Sequence, residues 1–269
     1  MKKYIALTLA LLMSLSLMAC GSKTDDGSTD ADGSGDQEGS NTLVLGTSAD
    51  YAPFEFHTEI NGTDTIVGFD ISIAQYMAEQ LGVELEIVDM SFDNLLISLN
   101  KGDFDIVLAA MSSNEERAKA VDFSNEYYLS NNVILVQKQN ADKYTTKESL
   151  QGVSMAAQKG TVCETRAKEL AGESSVVSLV KVQDMVSELL SGKVKAVLLD
   201  KPVASGYVIM QDSLEMVDIG LVAEEGMSVA MKKDSAGLTE LVNCMLSQLT
   251  EEQLDSWMGE AQVTAGVEE

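Results

Sequence analysis

The sequence predicts an α/β fold in two lobes, and three observations predict it. Short β-branched runs alternate with segments of helical spacing, which implies a mainly parallel sheet covered on both faces. The chain has 20 Gly and only 2 Pro in 269 residues, so its breaks fall on Gly, Asn and Asp. A helix–glycine–strand unit also recurs at an offset of ninety residues: 95–102 with Ile106-Val107-Leu108 aligns with 185–192 and Ala196-Val197-Leu198. Such an echo reads as two lobes of similar design.

At the start, Met1-Lys2-Lys3 is basic and Tyr4 to Met18 carries no charge. As a helix this run spans about 22 Å, short of the roughly 30 Å hydrocarbon core, so residues 1–19 are expected to be a signal peptide. Leu17-Met18-Ala19-Cys20-Gly21 resembles a bacterial lipoprotein lipobox, although Met18 is not the commonest residue at its place. That resemblance implies lipid on Cys20 and a location on the extracellular face of the cell membrane. From 21 to 40 the only apolar residue is Ala31, and six acids face Lys23. Residues 20–40 are therefore expected to be a flexible lipid-anchored linker.

The predicted strands are Leu43 to Leu45, Val83 to Val88, Ile106 to Leu108, Val133 to Val136, Val153 to Ala157, Val176 to Val180 and Ala196 to Leu199. Between them, Phe69, Ile73, Met77 and Leu81 recur at helical spacing, and Gly82 suits the position just past a helix end. A second helix runs from Gln183 to Leu190 and closes at Gly192. Pro202 fits the first turn of a third that runs towards Met210.

Charge and motifs narrow the function. The whole chain carries −25, and removing Lys2 and Lys3 takes it to −27. That balance excludes nucleic acid as a partner, because affinity for it depends on Lys and Arg at phosphates. His57 is the only histidine, in the polar stretch FEFHTEINGTD, where a surface role is expected rather than a catalytic triad. No zinc-protease, C-x-x-C, phosphate-loop or dinucleotide motif is present, so no metal or cofactor is expected. Cys163, near a predicted helix start, is the remaining candidate nucleophile. More telling is Ala109 to Arg117, AAMSSNEER, which follows a strand and opens a short helix. That edge is where open α/β sheets bind ligands. Arg117 there either clamps a carboxylate or is simply part of a charged helix start.

Resemblance decides between them. GTSADYAPFEF (46–56), GFDISIA (68–74), FDNLLISLNKGDFDIVLAAMSSNEERAKAVDFSNEYY (92–128), QKGT (158–161) and AVLLD (196–200) resemble the polar amino-acid-binding proteins of bacterial ABC importers, the family-3 solute receptors. The resemblance implies a two-lobed periplasmic-binding-protein-like (type II) fold with a double-stranded hinge. Arg117 then holds the ligand α-carboxylate, with Ser112 beside it and the Ala110 carbonyl facing the α-ammonium. Asp200 pairs with that ammonium from the second lobe, or else caps the helix near Pro202. Thr161 and the Val162 N–H lie at a helix start, a natural carboxylate site. Tyr51 and Phe92 form aromatic walls, and Gln158 fills a position that varies with ligand. Ser48 stands where many relatives have an acid for a cationic side chain. Asp50 and Glu55 lie nearby but do not fill that position. This departure weakens the case for arginine or lysine and leaves glutamine or cystine open.

The implied organisation is lobe one at 41–130 plus 227–269 and lobe two at 131–226, working as a monomer that docks on an ABC permease. Cys163 and Cys244 would fall on different lobes and are expected to be free thiols. Two other readings stand beside this one: an enzyme of the cyclohexadienyl dehydratase type on the same fold, and an amino-acid sensor.

Overall fold

In the computed structural model, which describes residues 41–266, β1 (Thr42–Thr47) turns Leu43 and Leu45 to one face and Val44 to the other. A small antiparallel sheet follows, made of β2 (Asp50–Tyr51), β3 (Glu55–Ile60) and β4 (Thr63–Val67). Its turn is Asn61-Gly62, with φ of 53 and 81, the left-handed pair that a two-residue type I′ hairpin requires. Helix α1 (Phe69–Leu81) buries Phe69, Ile73, Ala74 and Met77. Gly82, at φ 67, ends it by turning its N–H back to the carbonyls of Ala78 and Glu79. Then come β5 (Glu84–Asp89), α2 (Leu95–Lys101), β6 (Ile106–Val107), α3 (Glu115–Ala118) and β7 (Val121–Tyr128).

The second passage is β8 (Asn132–Gln137), β9 (Met155–Gln158), α4 (Val162–Ala171), β10 (Val176–Leu179), α5 (Val182–Leu190), β11 (Ala196–Asp200), α6 (Lys201–Met210) and β12 (Leu214–Leu221). The chain returns through β13 (Met227–Lys232), α7 (Ala236–Leu246) and α8 (Glu251–Thr264). Two five-stranded sheets result, in the orders β5-β1-β6-β13-β7 and β10-β9-β11-β8-β12. β13 is antiparallel to both its neighbours, and so is β8, while the other inner pairings are parallel. The reversed strand in each sheet is the one the chain enters after leaving the other sheet. This is the two-lobed α/β fold that the internal repeat implies, with two crossings between lobes.

The repeat itself occupies equivalent places. Helices α2 and α5 are followed by Gly102 and Gly192, both left-handed, at φ 88 and 77. Strands β6 and β11, which follow them, each take the middle position of their sheet. The near-continuous apolar runs are explained by burial on both faces. In β8, Val133 and Leu135 join the core that includes α5 and α6, and Ile134 and Val136 join the one under α4. In β6, Ile106 and Val107 split in the same way, Val107 packing with Leu95 and Leu99 of α2. The expected leader, Cys20 and the linker lie outside the described residues.

Candidate ligand-binding site

Strand ends of both sheets meet at one cavity. Tyr51, Phe92, Ala110, Ser112 and Arg117 line it from the first sheet's side. Gln158, Thr161, Val162 and Asp200 line it from the second. Thus nine of the residues carried over by resemblance converge on one space, and Ser48 does not. Ser48 lines a neighbouring groove with His57 and Asp89, its hydroxyl 3.3 Å from Asp50 Oδ1.

Arg117 owes its place to a local device. Asn114 caps α3 by accepting the Arg117 N–H at 2.8 Å. Its guanidinium then donates to the Ser112 carbonyl at 2.6 Å and, across the lobes, to the Gly160 carbonyl at 2.9 Å. It stacks 5.4 Å from the Phe92 ring centre, so Phe92 is a wall for the cation as well as for the cavity. Among the described residues Arg117 makes no ion pair with any carboxylate. Burial pulls its pKa down to about 10, against attraction from Glu225 and Glu116. It therefore remains a charged, partly buried cation whose partners are carbonyls.

Asp200 is its counterpart at the end of β11. It stands at the N-cap position of α6, yet its side chain makes no capping bond. Instead Oδ2 accepts the Tyr51 hydroxyl at 2.7 Å and Oδ1 accepts Asn132 Nδ2 at 2.9 Å. Arg166 Nη1 donates to the side-chain oxygen of Asn132 at 2.6 Å. Burial pushes the Asp200 pKa up to about 6, moderated by Tyr51, Arg166 and Asn132. It is ionised at neutral pH and keen for a cation. Asn132 and Arg166 line the cavity too and were not legible as site residues. The only sequence signal was a polar residue opening the apolar run of β8, and an arginine one turn into α4.

Two carried-over roles change in detail. The Thr161 hydroxyl caps α4, accepting the Glu164 N–H at 3.1 Å and donating to the Gln158 carbonyl at 2.6 Å. What it leaves facing the cavity is the first turn of a ten-residue helix, including Val162, where backbone N–H groups favour an anion. Gln158 spends its amide on Asp50 Oδ1 at 3.2 Å and the Val180 carbonyl at 3.1 Å, so it spans the lobes as well as lining the cavity. Ala110 takes a left-handed φ of 47, a conformation costing about 1–3 kcal/mol outside glycine. Asp70 holds it there by accepting the Ala110 N–H and the Tyr127 hydroxyl, both at 2.7 Å.

Behind Tyr51 lies a second group of acids. Glu55 is buried, with neither oxygen facing a donor, and Asp70 Oδ1 is in the same condition. Burial, then repulsion from Asp70, Asp50 and Asp200, holds the Glu55 carboxyl well above its ordinary pKa. Burial also pushes Asp70 up to about 6. Each carboxyl shifts the other in the opposite sense, Glu55 up and Asp70 down, so a neutral Glu55 donating to Asp70 would satisfy both.

The cavity's thiol is not activated. Burial raises the Cys163 thiol well above its usual range, which disfavours the nucleophilic thiolate. Cys163 lies buried on α4 and Cys244 exposed on α7, and neither is in a disulfide. His57 lies on the surface between Asp64 and Asp89, at 3.0 and 3.4 Å. Among the described residues no helix is long and apolar enough to cross a membrane, and no cluster of ligating side chains could hold a metal ion.

The model of the bacterial extracellular solute-binding proteins, family 3, matches residues 43–259. The arginine-binding extracellular protein ArtP of Bacillus subtilis is 33% identical over 253 residues, covering 93% of each chain. An amino-acid ABC transporter substrate-binding protein from Streptococcus pneumoniae, solved with L-arginine, is 38% identical with a TM-score of 0.80, covering 85% of this chain and 97% of that one. An ancestral amino-acid-binding protein, a precursor of cyclohexadienyl dehydratase, is 35% identical with a TM-score of 0.74, covering 82% and 95%. The chain belongs to the bacterial extracellular solute-binding proteins of family 3, non-catalytic receptors, and it binds a small polar amino acid between its lobes for delivery to an ABC transporter.

Proposed function

We propose that the amino acid is cationic, with L-arginine the first candidate, and that Arg117 and Asp200 hold its two charged main-chain ends. The observation that carries this is the pair of opposite charges left without a direct ion pair around one cavity: Arg117 donates only to carbonyls, and Asp200 is held by hydroxyls and an amide, with Arg166 reaching it through Asn132. An α-carboxylate supplies what the first lacks, and an α-ammonium what the second lacks. Ser112, Ala110 and the first turn of α4 at Thr161 and Val162 add hydrogen bonds, and Tyr51 and Phe92 flank the side chain.

A cationic side chain suits the acids on the cavity wall, Glu224 and Glu225 besides Asp200. Serine at position 48 weakens a cationic reading only if position 48 is where the side chain is met. The similarity to an arginine-binding protein and to an arginine complex supports the same class. Calorimetric titration of the mature protein against arginine, lysine, histidine, glutamine and cystine tests it. Arginine is expected to bind at least about tenfold tighter than glutamine or cystine; tighter uptake of either neutral ligand would sink the proposal.

Lobes limited to 41–130 with 227–269 and to 131–226 would close on the ligand, each bringing half the contacts. The lipobox-like Leu17 to Gly21 supports anchoring by lipid on Cys20 at the extracellular face of the membrane. Cys20→Ala should then shift the protein from the detergent phase into the medium.

A further inference from the structure

We infer that Asp50 is the receptor's closing latch: a first-lobe carboxylate that caps second-lobe helix α5 and sets how long the ligand stays enclosed. Asp50 sits on β2, and its Oδ2 accepts the Val182 N–H at 2.8 Å across the lobes. Its Oδ1 accepts Gln158 Nε2 at 3.2 Å and Ser48 Oγ at 3.3 Å. Val182 opens the nine-residue α5, whose own N-cap residue, Lys181, supplies no capping side chain. The orphan N–H groups and positive end of a helix ordinarily take a carboxylate from the same chain segment. Here the other lobe supplies it.

The Asp50–Val182 bond stands apart from both the ligand site and the rim, although Gln158, which also bonds Asp50, lines the cavity. Neither Asp50 nor Val182 lines the ligand cavity, whereas Tyr51, Asp200 and Arg117, which make the other cross-lobe bonds, do. Asp50 is partly buried, and burial outweighs its hydrogen bonds in raising its pKa, while the Lys159–Asp93 pair at the rim involves a lysine more than half exposed. In separated lobes, both the carboxylate and the Val182 N–H return to water. The contact therefore favours the closed form alone and shifts the opening equilibrium.

The inference rests on closure around an amino acid but not on which one. Asp50→Ala removes the acceptor. Val182→Pro removes the donor from the other lobe, since proline suits the first helical position and Lys181 already has the extended backbone that precedes proline, at φ −108 and ψ 138. Val182→Ala, which keeps the N–H, controls for lost packing. Stopped-flow release is followed for L-arginine, with L-histidine, L-glutamine and L-cystine in parallel, so that a wrong ligand class leaves the latch tested. Asp50→Ala and Val182→Pro should each speed release by about ten- to a hundredfold, as loss of a hydrogen bond to a charged group implies. Association rates and the melting temperature of the unliganded Asp50→Ala protein should stay unchanged. The double variant should release no faster than the faster single one. Wild-type release from Asp50→Ala, or effects that multiply in the double variant, would overturn the latch.

Discussion

Arg117 and Asp200 in the cleft, and Lys159 and Asp93 at its edge, are two pairs of opposite charges that the same lobe boundary brings near each other. At the edge the pair closes on itself: Lys159 Nζ lies 2.8 Å from Asp93 Oδ2, and that bond lowers the Asp93 pKa and raises that of Lys159. In the cleft the pair does not form. Arg117 is bound by carbonyls and pulled down to about 10, and Asp200 is bound by Tyr51 and Asn132 and pushed up to about 6. Both cleft groups are shifted towards their neutral forms, the mark of charges short of partners. The difference teaches that a receptor for a zwitterion keeps its two charges apart, so that the ligand completes each.

The largest effect should follow from removing a cleft charge. Arg117→Ala leaves the ligand carboxylate enclosed without its partner, and losing one member of such a pair costs roughly 2–5 kcal/mol. In calorimetry that is about thirty- to several-thousand-fold in affinity. Binding within threefold of wild type would mean the carboxylate is held elsewhere.

Acid should sharpen the same contrast. The Asp200 pKa is raised, to about 6, and the ligand ammonium requires its ionised form. Affinity should be flat above that pH and fall by about tenfold for each pH unit below it. In Asp200→Asn the affinity should be weak throughout and nearly independent of pH in this range. A wild-type affinity unchanged between pH 7.5 and 5 would show that Asp200 does not hold the ammonium.

Glu55 extends the comparison to stability, because burial and Asp70, the two largest causes of its shift, both lie within the first lobe. Its folded-state pKa is raised, so its contribution to stability is present below the unfolded pKa and lost as pH rises towards the folded one. Glu55→Gln keeps a donor for Asp70 and removes the titration. At pH 7 it should leave the unliganded protein more stable than the wild type. Urea unfolding from pH 5 to 8 should show the wild type losing stability that the variant keeps.

How much of this was legible in the sequence follows from the range of each interaction. Helix α1 could be read because its apolar spacing and Gly82 are local, and β8 because burial on both faces leaves an unbroken apolar run. The β3–β4 hairpin offered only its Asn61-Gly62 turn as a local sign, since its outer half is exposed and carries no alternation of buried residues. Arg117 was a candidate from its place after a strand end, and resemblance decided its role; Asp200 was reachable only through resemblance. Asn132 touches Asp200 across 68 residues, and Asp50 touches Val182 across 132. No local pattern carries such pairings; they exist only once both sheets are built.

The smallest effect should come from the edge pair, and it tests the contrast from the other side. Lys159 is more than half exposed, and its bond to Asp93 is made in water-rich surroundings. An exposed ion pair gains little over the hydration its two groups already have, and salt screens what remains. Lys159→Ala should therefore change ligand affinity by no more than about threefold at low salt. The difference should vanish at about 0.5 M salt, where the screening length is only a few ångströms. Arg117→Ala should keep its penalty at that salt, because its partner is enclosed with it. A loss from Lys159→Ala as large as that from Arg117→Ala, and as resistant to salt, would mean that closure is driven by the edge charges and that the cleft pair merely selects what is enclosed.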